Sequence, residues 1–490
     1  MANRDGLGIV NVIEIFKADK ARRIPDYIKE RTDNFEKRTG KVMSTFHQNI
    51  LGTPAIFTLD PKNVQAVLAT QFKDFGLGEL RNKVFSPLLG DGIFSSDGRQ
   101  WEHSRALLRP QFVREQVSDL DLEEEHVQNM FRCLPVNSDG WTSVSDVQKL
   151  FFRLTIDSAT EFLFGESVNS QLAGLPGYRM KVGADADQFA TSFDLAQAQI
   201  GQSLRLGEKY WLKQNSTFKQ HCKNCHDFID SYVHSALSGK KTTKTTPSGK
   251  QRYVFLDAVA ESTRDPLFLR HQMISILLAG RDTTASLLSF AFLELSRQPH
   301  VFRKLREVIL DEFGTYRNPK EITFAKLKSC TYLQWFLNEA LRLYPVVPID
   351  GRRALKDTTL PTGGGPDGRS PVYVRKGMQV DYCVYVIHRR KDLWGPDADE
   401  FRPERWDGRR VGWEYLPFNG GPRICIGQQF ALTEAGYVIV RALQRFDAIE
   451  GVGNSWEPVE KGGVGYVRHW LTLTSCPADG VKVRLREAKE

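Results

Sequence analysis

The sequence predicts a mainly α-helical protein with a smaller β-rich portion, and three stretches carry that reading. In "DPLFLRHQMISILLAGRDTTASLLSFAFLELSRQP" (265–299), Asp265 before Pro266 marks a helix start and Pro299 marks its stop. The helix between them is about thirty residues long and apolar on nearly every face, so it must cross the interior. In "FKQHCKNCHDFIDSYVHSAL" (218–237), Phe218, Cys222, Cys225, Ile229, Tyr232, Val233 and Ala236 recur every three or four residues, the stripe of an amphipathic helix. The third stretch, "SPVYVRKGMQVDYCVYV" (370–386), alternates instead, as two strands paired around Lys376-Gly377 would.

Composition agrees with a folded globular chain. Of 490 residues 41% are hydrophobic and 26% charged, which excludes disordered and fibrous classes, and the length suits roughly three average domains or one large single enzyme. The net charge of +8 is scattered along the chain, so it describes a solvated surface or a site for an acidic protein partner, not nucleic-acid binding. Seven cysteines at irregular spacing argue against a disulfide framework. The opening "MANRDGLGIVNVIEIFKADK" has neither a signal-peptide core nor a membrane-length apolar run, and the chain as given reads as soluble. The Gly/Ser/Thr/Lys-rich segment 238–252 reads as a flexible basic loop, and "LTLTSCPADGVKVRL" (471–485) as a final hairpin turning at Asp479-Gly480. Inside the long helix, "AGRDTTA" places Gly280, Arg281, Asp282, Thr283 and Thr284, polar groups that need partners when buried. Threonine hydroxyls there bond back to the preceding turn and bend a helix.

Two cysteine motifs invite a haem reading. Cys222-x-x-Cys225-His226 has the spacing of covalent c-type attachment, yet both cysteines fall on the apolar stripe, which favours core packing. In "FNGGPRICIGQQFALTEAGY" (418–437), Phe418, Gly421, Arg423, Cys425 and Gly427 precede an amphipathic helix. Cys425 therefore stands at a helix N-terminus, where backbone N–H groups and the dipole stabilise a thiolate. Gly420 and Gly421 let the chain turn under a flat group, Gly427 leaves room for its face, and Arg423 neutralises an acidic substituent.

These residues resemble the haem-binding signature of the cytochrome P-450 family, the haem-thiolate monooxygenases, whose other motifs follow in order. Glu339 and Arg342 in "FLNEALRLYP" with Arg405 in "FRPERW" look like the family's buried brace, with Trp406 where Phe is more usual. Trp101 and Arg105 in "WEHSRALLRPQF" look like the helix supporting a haem propionate. Arg352 matches a further propionate arginine, but Arg353 beside it is an alternative, and Asp350 stands where related sequences have Asn. "PLLGDGIFSSDG" (87–98) and "DTTLPTGGG" (357–365) are similar to the fungal branch that hydroxylates n-alkanes and fatty acids.

The resemblance implies the cytochrome P-450 fold, with 1–490 as a single catalytic domain, and haem b held by Cys425, with Trp101, Arg105, Arg352, Phe418, Gly421, Arg423 and Gly427 around it. It makes Thr283 the hydrogen-bond partner of dioxygen and Asp282 part of a proton relay. Electrons would come from NADPH through NADPH-cytochrome P-450 reductase, at the cytosolic face of the endoplasmic reticulum membrane. The N-terminal anchor of the relatives is not recognisable in this chain. The expected reaction is hydroxylation of a fatty acid or n-alkane at or near the terminal carbon. The alternatives are a steroid or secondary-metabolite hydroxylase, a reductase-independent peroxygenase or isomerase, and a c-type electron carrier. Phe85 to Phe94, residues 192–201, Leu277, Leu278 and residues 346–349 are the expected pocket walls.

Overall fold

The computed structural model describes residues 6–112, 120–175, 178, 185–239, 253–453 and 467–489. Twelve longer helices dominate them: α1 (Ile9–Lys20), α2 (Ile24–Thr39), α3 (Gly78–Leu89), α4 (Gly98–Leu108), α5 (Leu120–Arg132), α6 (Val147–Phe164), α7 (Asp185–Arg205), α8 (Ser216–Leu237), α9 (Pro266–Arg297), α10 (Pro299–Phe313), α11 (Thr331–Leu343) and α12 (Gln428–Arg445). The segment expected to be a basic loop lies mostly outside the described residues.

Helix α9 begins where the sequence places it. The Asp265 carboxylate accepts from the N–H groups of Leu267 and Phe268, and Pro266 fills the first helical position. It is the one helix among the described residues long and apolar enough to cross a bilayer, and 83% of its most apolar window is buried by protein. Its partners are chiefly α6 and α8, with α12 and α11 against its second half. There Phe290 stacks on Tyr344 with ring centroids 4.5 Å apart, and Phe151 meets Phe292 at 4.8 Å. Each such buried aromatic side chain stabilises the fold by roughly 2 to 3 kcal/mol. Helix α9 continues unbroken through the polar "AGRDTTA", and there Thr283 bonds back to the preceding turn as expected.

Helix α8 carries Cys222 and Cys225 on its buried face, so the Cys-x-x-Cys-His motif is a packing stripe. Burial pushes the Cys222 thiol up to about 12, and the Cys225 thiol rises further. All seven cysteines are free.

Two strand expectations are corrected. β7 (Ser370–Val374) and β8 (Gln379–Cys383) form where alternation predicts, but they do not pair with each other. β7 joins β6 (Thr358–Gly364), whereas β8 sits in a five-stranded sheet of order β1-β2-β8-β5-β3. In that sheet β1 (Thr45–Ile50), β2 (Thr53–Thr58), β3 (Phe75–Gly76) and β5 (Ile349–Ala354) flank it, with β2 parallel and β5 antiparallel to β8. The strand ends at Cys383, and residues 384–387 turn helical. Likewise Asp479-Gly480 joins strands of different sheets. β11 (Ser475–Pro477) pairs with β10 (His469–Leu471), and β12 (Lys482–Glu487) lies between β4 (Ser145–Asp146) and β9 (Phe446–Gly451). A turn signal records a change of direction, and the hydrogen-bond partner is chosen by the rest of the fold.

Candidate active site

The site is built around the loop preceding α12. The Cys425 N–H donates to the Phe418 carbonyl at 3.0 Å, and Ile424 N–H to the Gly421 carbonyl at 3.0 Å, closing a tight arch with Cys425 at its apex. Gly421 has φ +68°, and a Cβ there would lie 1.8 Å from the Leu68 carbonyl oxygen, so only glycine fits. Gly427 differs, with φ −90° and the Phe112 ring at 3.8 Å as the nearest neighbour of an added Cβ. Its backbone does not require glycine; what the missing side chain leaves is open space.

Cys425 is exposed by surface area, yet burial raises its thiol pKa, opposed by the Gly427 backbone N–H and the Arg105 charge. Its side chain is thus open on one side while the surrounding protein withdraws it from bulk water. Helix α9 shows a second opening: between Gln272 and Ser296 only Ala279, Gly280 and Thr283 are less than buried, and they share one face. The Thr283 hydroxyl donates to the Ala279 carbonyl at 2.6 Å. The neighbouring Asp282 carboxylate is buried and accepts from Arg281 Nη1 at 3.2 Å. Burial pushes its pKa up to about 6 against the Arg281 charge.

Along the edge of the cysteine loop lies a basic cluster. Arg423 stacks over the Trp101 ring at 4.2 Å, donates to Asp97 at 2.7 Å and to the Ser96 carbonyl at 3.1 Å. Burial, with Arg352 and Arg81 nearby, lowers its pKa to about 10 despite Asp97. Arg105, one turn beyond Trp101, has its guanidinium 5.9 Å from that ring and no carboxylate partner among the described residues. Arg352 is buried and bonds Asp350 at 2.8 Å, while Arg353 reaches across to Glu208 at 3.4 Å. Alternation along β5 separates the two, and only Arg352 belongs to the cluster. Asp350 also accepts from Arg81 at 2.9 Å and from Asn419 at 3.1 Å, and has the Tyr382 hydroxyl at 3.1 Å. It is held well below the ordinary carboxylate range by Arg352 and Arg81, which outweigh its burial. With Arg105 unpaired by any carboxylate among the described residues and Arg81, Arg352 and Arg423 sharing Asp97 and Asp350, this edge carries a positive surplus, the complement of a porphyrin's propionates. The thiol at the helix head, the open face at Gly427 and this surplus fit a haem.

Beneath the loop, the expected brace is present and wholly buried. Arg342 donates to both Glu339 oxygens at 2.8 Å, and Arg405 to Glu339 at 3.2 Å. Trp406, at the position where Phe is more usual, donates its indole N–H to Glu339 at 3.0 Å, a bond Phe could not make. His388 is a link that the motifs do not reveal. Its Nε2 accepts from the Leu416 N–H at 2.8 Å and its Nδ1 lies 3.0 Å from the Arg342 carbonyl, tying brace to cysteine loop. Burial pushes its pKa down to about 3, keeping it the neutral tautomer with the proton on Nδ1. Among the expected pocket walls, Phe85 and Leu277 are packed into the core, Leu278 is 7% exposed, and Val347 is open at 40%.

The comparison with known sequences gives the class: the cytochrome P-450 family model matches residues 9–469, and the chain belongs to that family. It has the family's fold, and it is an oxidoreductase of the monooxygenase type, a class that works with haem iron and dioxygen. Three similar relatives are fungal. The chain is 53% identical to the cytochrome P-450 monooxygenase g430 of a Fusarium species over 488 residues, covering 98% of this chain and 83% of that protein. It is 49% identical to cytochrome P-450 52A13 of Debaryomyces hansenii, with 90% of this chain and 83% of the relative covered. With the monooxygenase alt2 of Alternaria solani it shares 46% identity, covering 91% and 84%.

Proposed function

We propose that this monooxygenase hydroxylates long-chain lipids, fatty acids or n-alkanes, at or near the terminal carbon. The observation that carries the reading is the pairing of two openings: Cys425 at the head of α12, and Ala279, Gly280 and Thr283 on the otherwise buried α9. Read as facing walls, they leave a narrow space for haem, dioxygen and one end of an apolar chain. Bound haem supplies the oxidising chemistry. Cys425 would hold its iron, Arg105, Arg352 and Arg423 would hold its propionates with Trp101 against them, and Phe418, Gly421 and Gly427 would shape the loop and its open face.

The chain's own residues handle protons and access. Because the Thr283 proton is committed to Ala279, its oxygen presents lone pairs to a proton donor at the reacting centre. Asp282, pushed up to about 6, exchanges a proton near neutral pH, as a relay requires. Val347 supplies an apolar wall. Electrons arrive from NADPH through NADPH-cytochrome P-450 reductase, an acidic flavoprotein suited to the +8 surface, at the cytosolic face of the endoplasmic reticulum membrane where such lipids partition.

Turnover with reductase and NADPH on a panel of fatty acids, alkanes and steroids tests the substrate class. Terminal or near-terminal alcohols of chains are expected; ring-hydroxylated steroids with no chain turnover would overturn it. Thr283→Ala tests the relay: haem ligation and substrate affinity persist while product per NADPH falls, and product formation slows by up to the roughly 10²- to 10⁴-fold that positioned proton transfer contributes to a rate. An unchanged ratio would remove Thr283 from the chemistry.

A further inference from the structure

The acid of α9 does not stand alone. Arg281 is buried, its guanidinium 5.4 Å from the Phe152 ring of α6 and 5.9 Å from the Phe193 ring of α7. It is shared between two carboxylates. Its Nη1 donates to Asp194 of α7, its Nη2 approaches the other Asp194 oxygen at 3.3 Å, and Nη1 also reaches Asp282 at 3.2 Å. The Gln197 side chain, one turn beyond Asp194, hydrogen-bonds Asp282 from the same helix. A bidentate grip is more directional than a single contact, so Asp194 occupies the fork of Arg281 while Asp282 meets one of its nitrogens. Asp194 is nevertheless 57% exposed, and its helix makes this reach to α9 through a few side chains.

We propose that Asp194 is a positioning residue for proton delivery: by occupying the fork of Arg281, it keeps Asp282 from closing the single-nitrogen contact with its own neighbour into a bidentate salt bridge. The inference rests on the reading of Asp282 as a relay. A carboxylate locked bidentate to a buried guanidinium stays ionised and gives up its mobility, whereas one bonded through a single nitrogen can take and return a proton without breaking a fork. The charged and titratable groups facing this cluster are Arg281 and Asp282 on α9, Asp194 on α7, Cys225 on α8 and Cys476 on β11. Both thiols are pushed up by burial, Cys476 to about 12, so neither competes for the proton. Removing the Asp194 charge therefore leaves Asp282 as the sole carboxylate partner of Arg281.

The test follows the carboxyl directly in the haem-loaded enzyme. The infrared C=O band of protonated Asp282, assigned by its loss in Asp282→Asn, should titrate with a midpoint of about 6. In Asp194→Asn the midpoint should fall by about one unit, the lower end of the shift a close opposite charge produces. Asp194→Glu should restore it. Product per NADPH should follow, with the Asn variant uncoupled at neutral pH and the Glu variant recovered. The exposure of Asp194 makes both substitutions surface-tolerant. An unchanged midpoint in Asp194→Asn overturns the proposal while leaving the relay intact. If the midpoint falls but Asp282→Asn remains fully coupled, the relay reading fails and takes the positioning role with it.

Discussion

Two glycines of the cysteine loop should fail for opposite reasons, and the contrast separates what the protein needs from what the cofactor needs. In Gly421→Ala the new Cβ would begin 1.8 Å from the Leu68 carbonyl oxygen, at φ +68°. Side-chain carbons do not approach backbone closer than 3.0 Å, so the arch or the Leu68 segment must move by more than 1 Å. The left-handed backbone costs about 1 kcal/mol for alanine. Displacing the arch also strains the Cys425–Phe418 and Ile424–Gly421 bonds, each worth about 1 kcal/mol, for a total near 3 kcal/mol. In Gly427→Ala the Cβ meets nothing nearer than 3.8 Å at an ordinary φ of −90°. The folded chain without haem should be unaffected. Urea unfolding of the apoprotein, read beside haem titration, distinguishes them: Gly421→Ala should lower the unfolding midpoint, and Gly427→Ala should keep the midpoint but bind haem more weakly. A Gly427→Ala protein that loads haem with wild-type affinity would refute the claim that its open space is reserved for the porphyrin face.

Trp406→Phe should destabilise the brace by about 2 kcal/mol, the worth of a buried hydrogen bond to a carboxylate, without altering the carbonyl spectrum of the protein that folds; urea unfolding of the holoenzyme measures it. Glu434 of α12 is buried, accepts from Ser158 at 2.5 Å, and is pushed by burial from 4.5 up to about 7, against Ser158, Thr284 and His126. Its proton therefore stabilises the fold fully below the unfolded value, and that contribution is lost as pH rises from about 4.5 through 7, roughly 3 kcal/mol in all. Glu434→Gln should flatten that slope, as unfolding midpoints at pH 5 and pH 8 would record.

What the sequence made legible was local chemistry. Asp265, Pro266 and Pro299 bounded α9, and the stripe through Cys222 and Cys225 turned a haem motif into a core helix. The signature around Cys425 located the loop because each of its residues answers a local need. Partners chosen across the fold were not legible. Alternation around Lys376-Gly377 announced strands, yet nothing local says that β8 pairs with β2 and β5. Asp350 looked like a departure from an expected Asn, and only its surroundings show it holding Arg81 and Arg352 together. His388 and Asp194 belong to no motif; each matters through a contact with a distant segment.

Cys425 is proposed as the sulfur that holds the iron, and the carbonyl spectrum of the reduced haem enzyme reads that sulfur directly. A thiolate ligand tunes the iron in a way a hydroxyl cannot. Cys425→Ser should lose the thiolate-type carbonyl spectrum and monooxygenation, whereas the double variant Cys222→Ser with Cys225→Ser should retain both. A double variant stripped of haem beside a Cys425→Ser protein with an unaltered spectrum would contradict it.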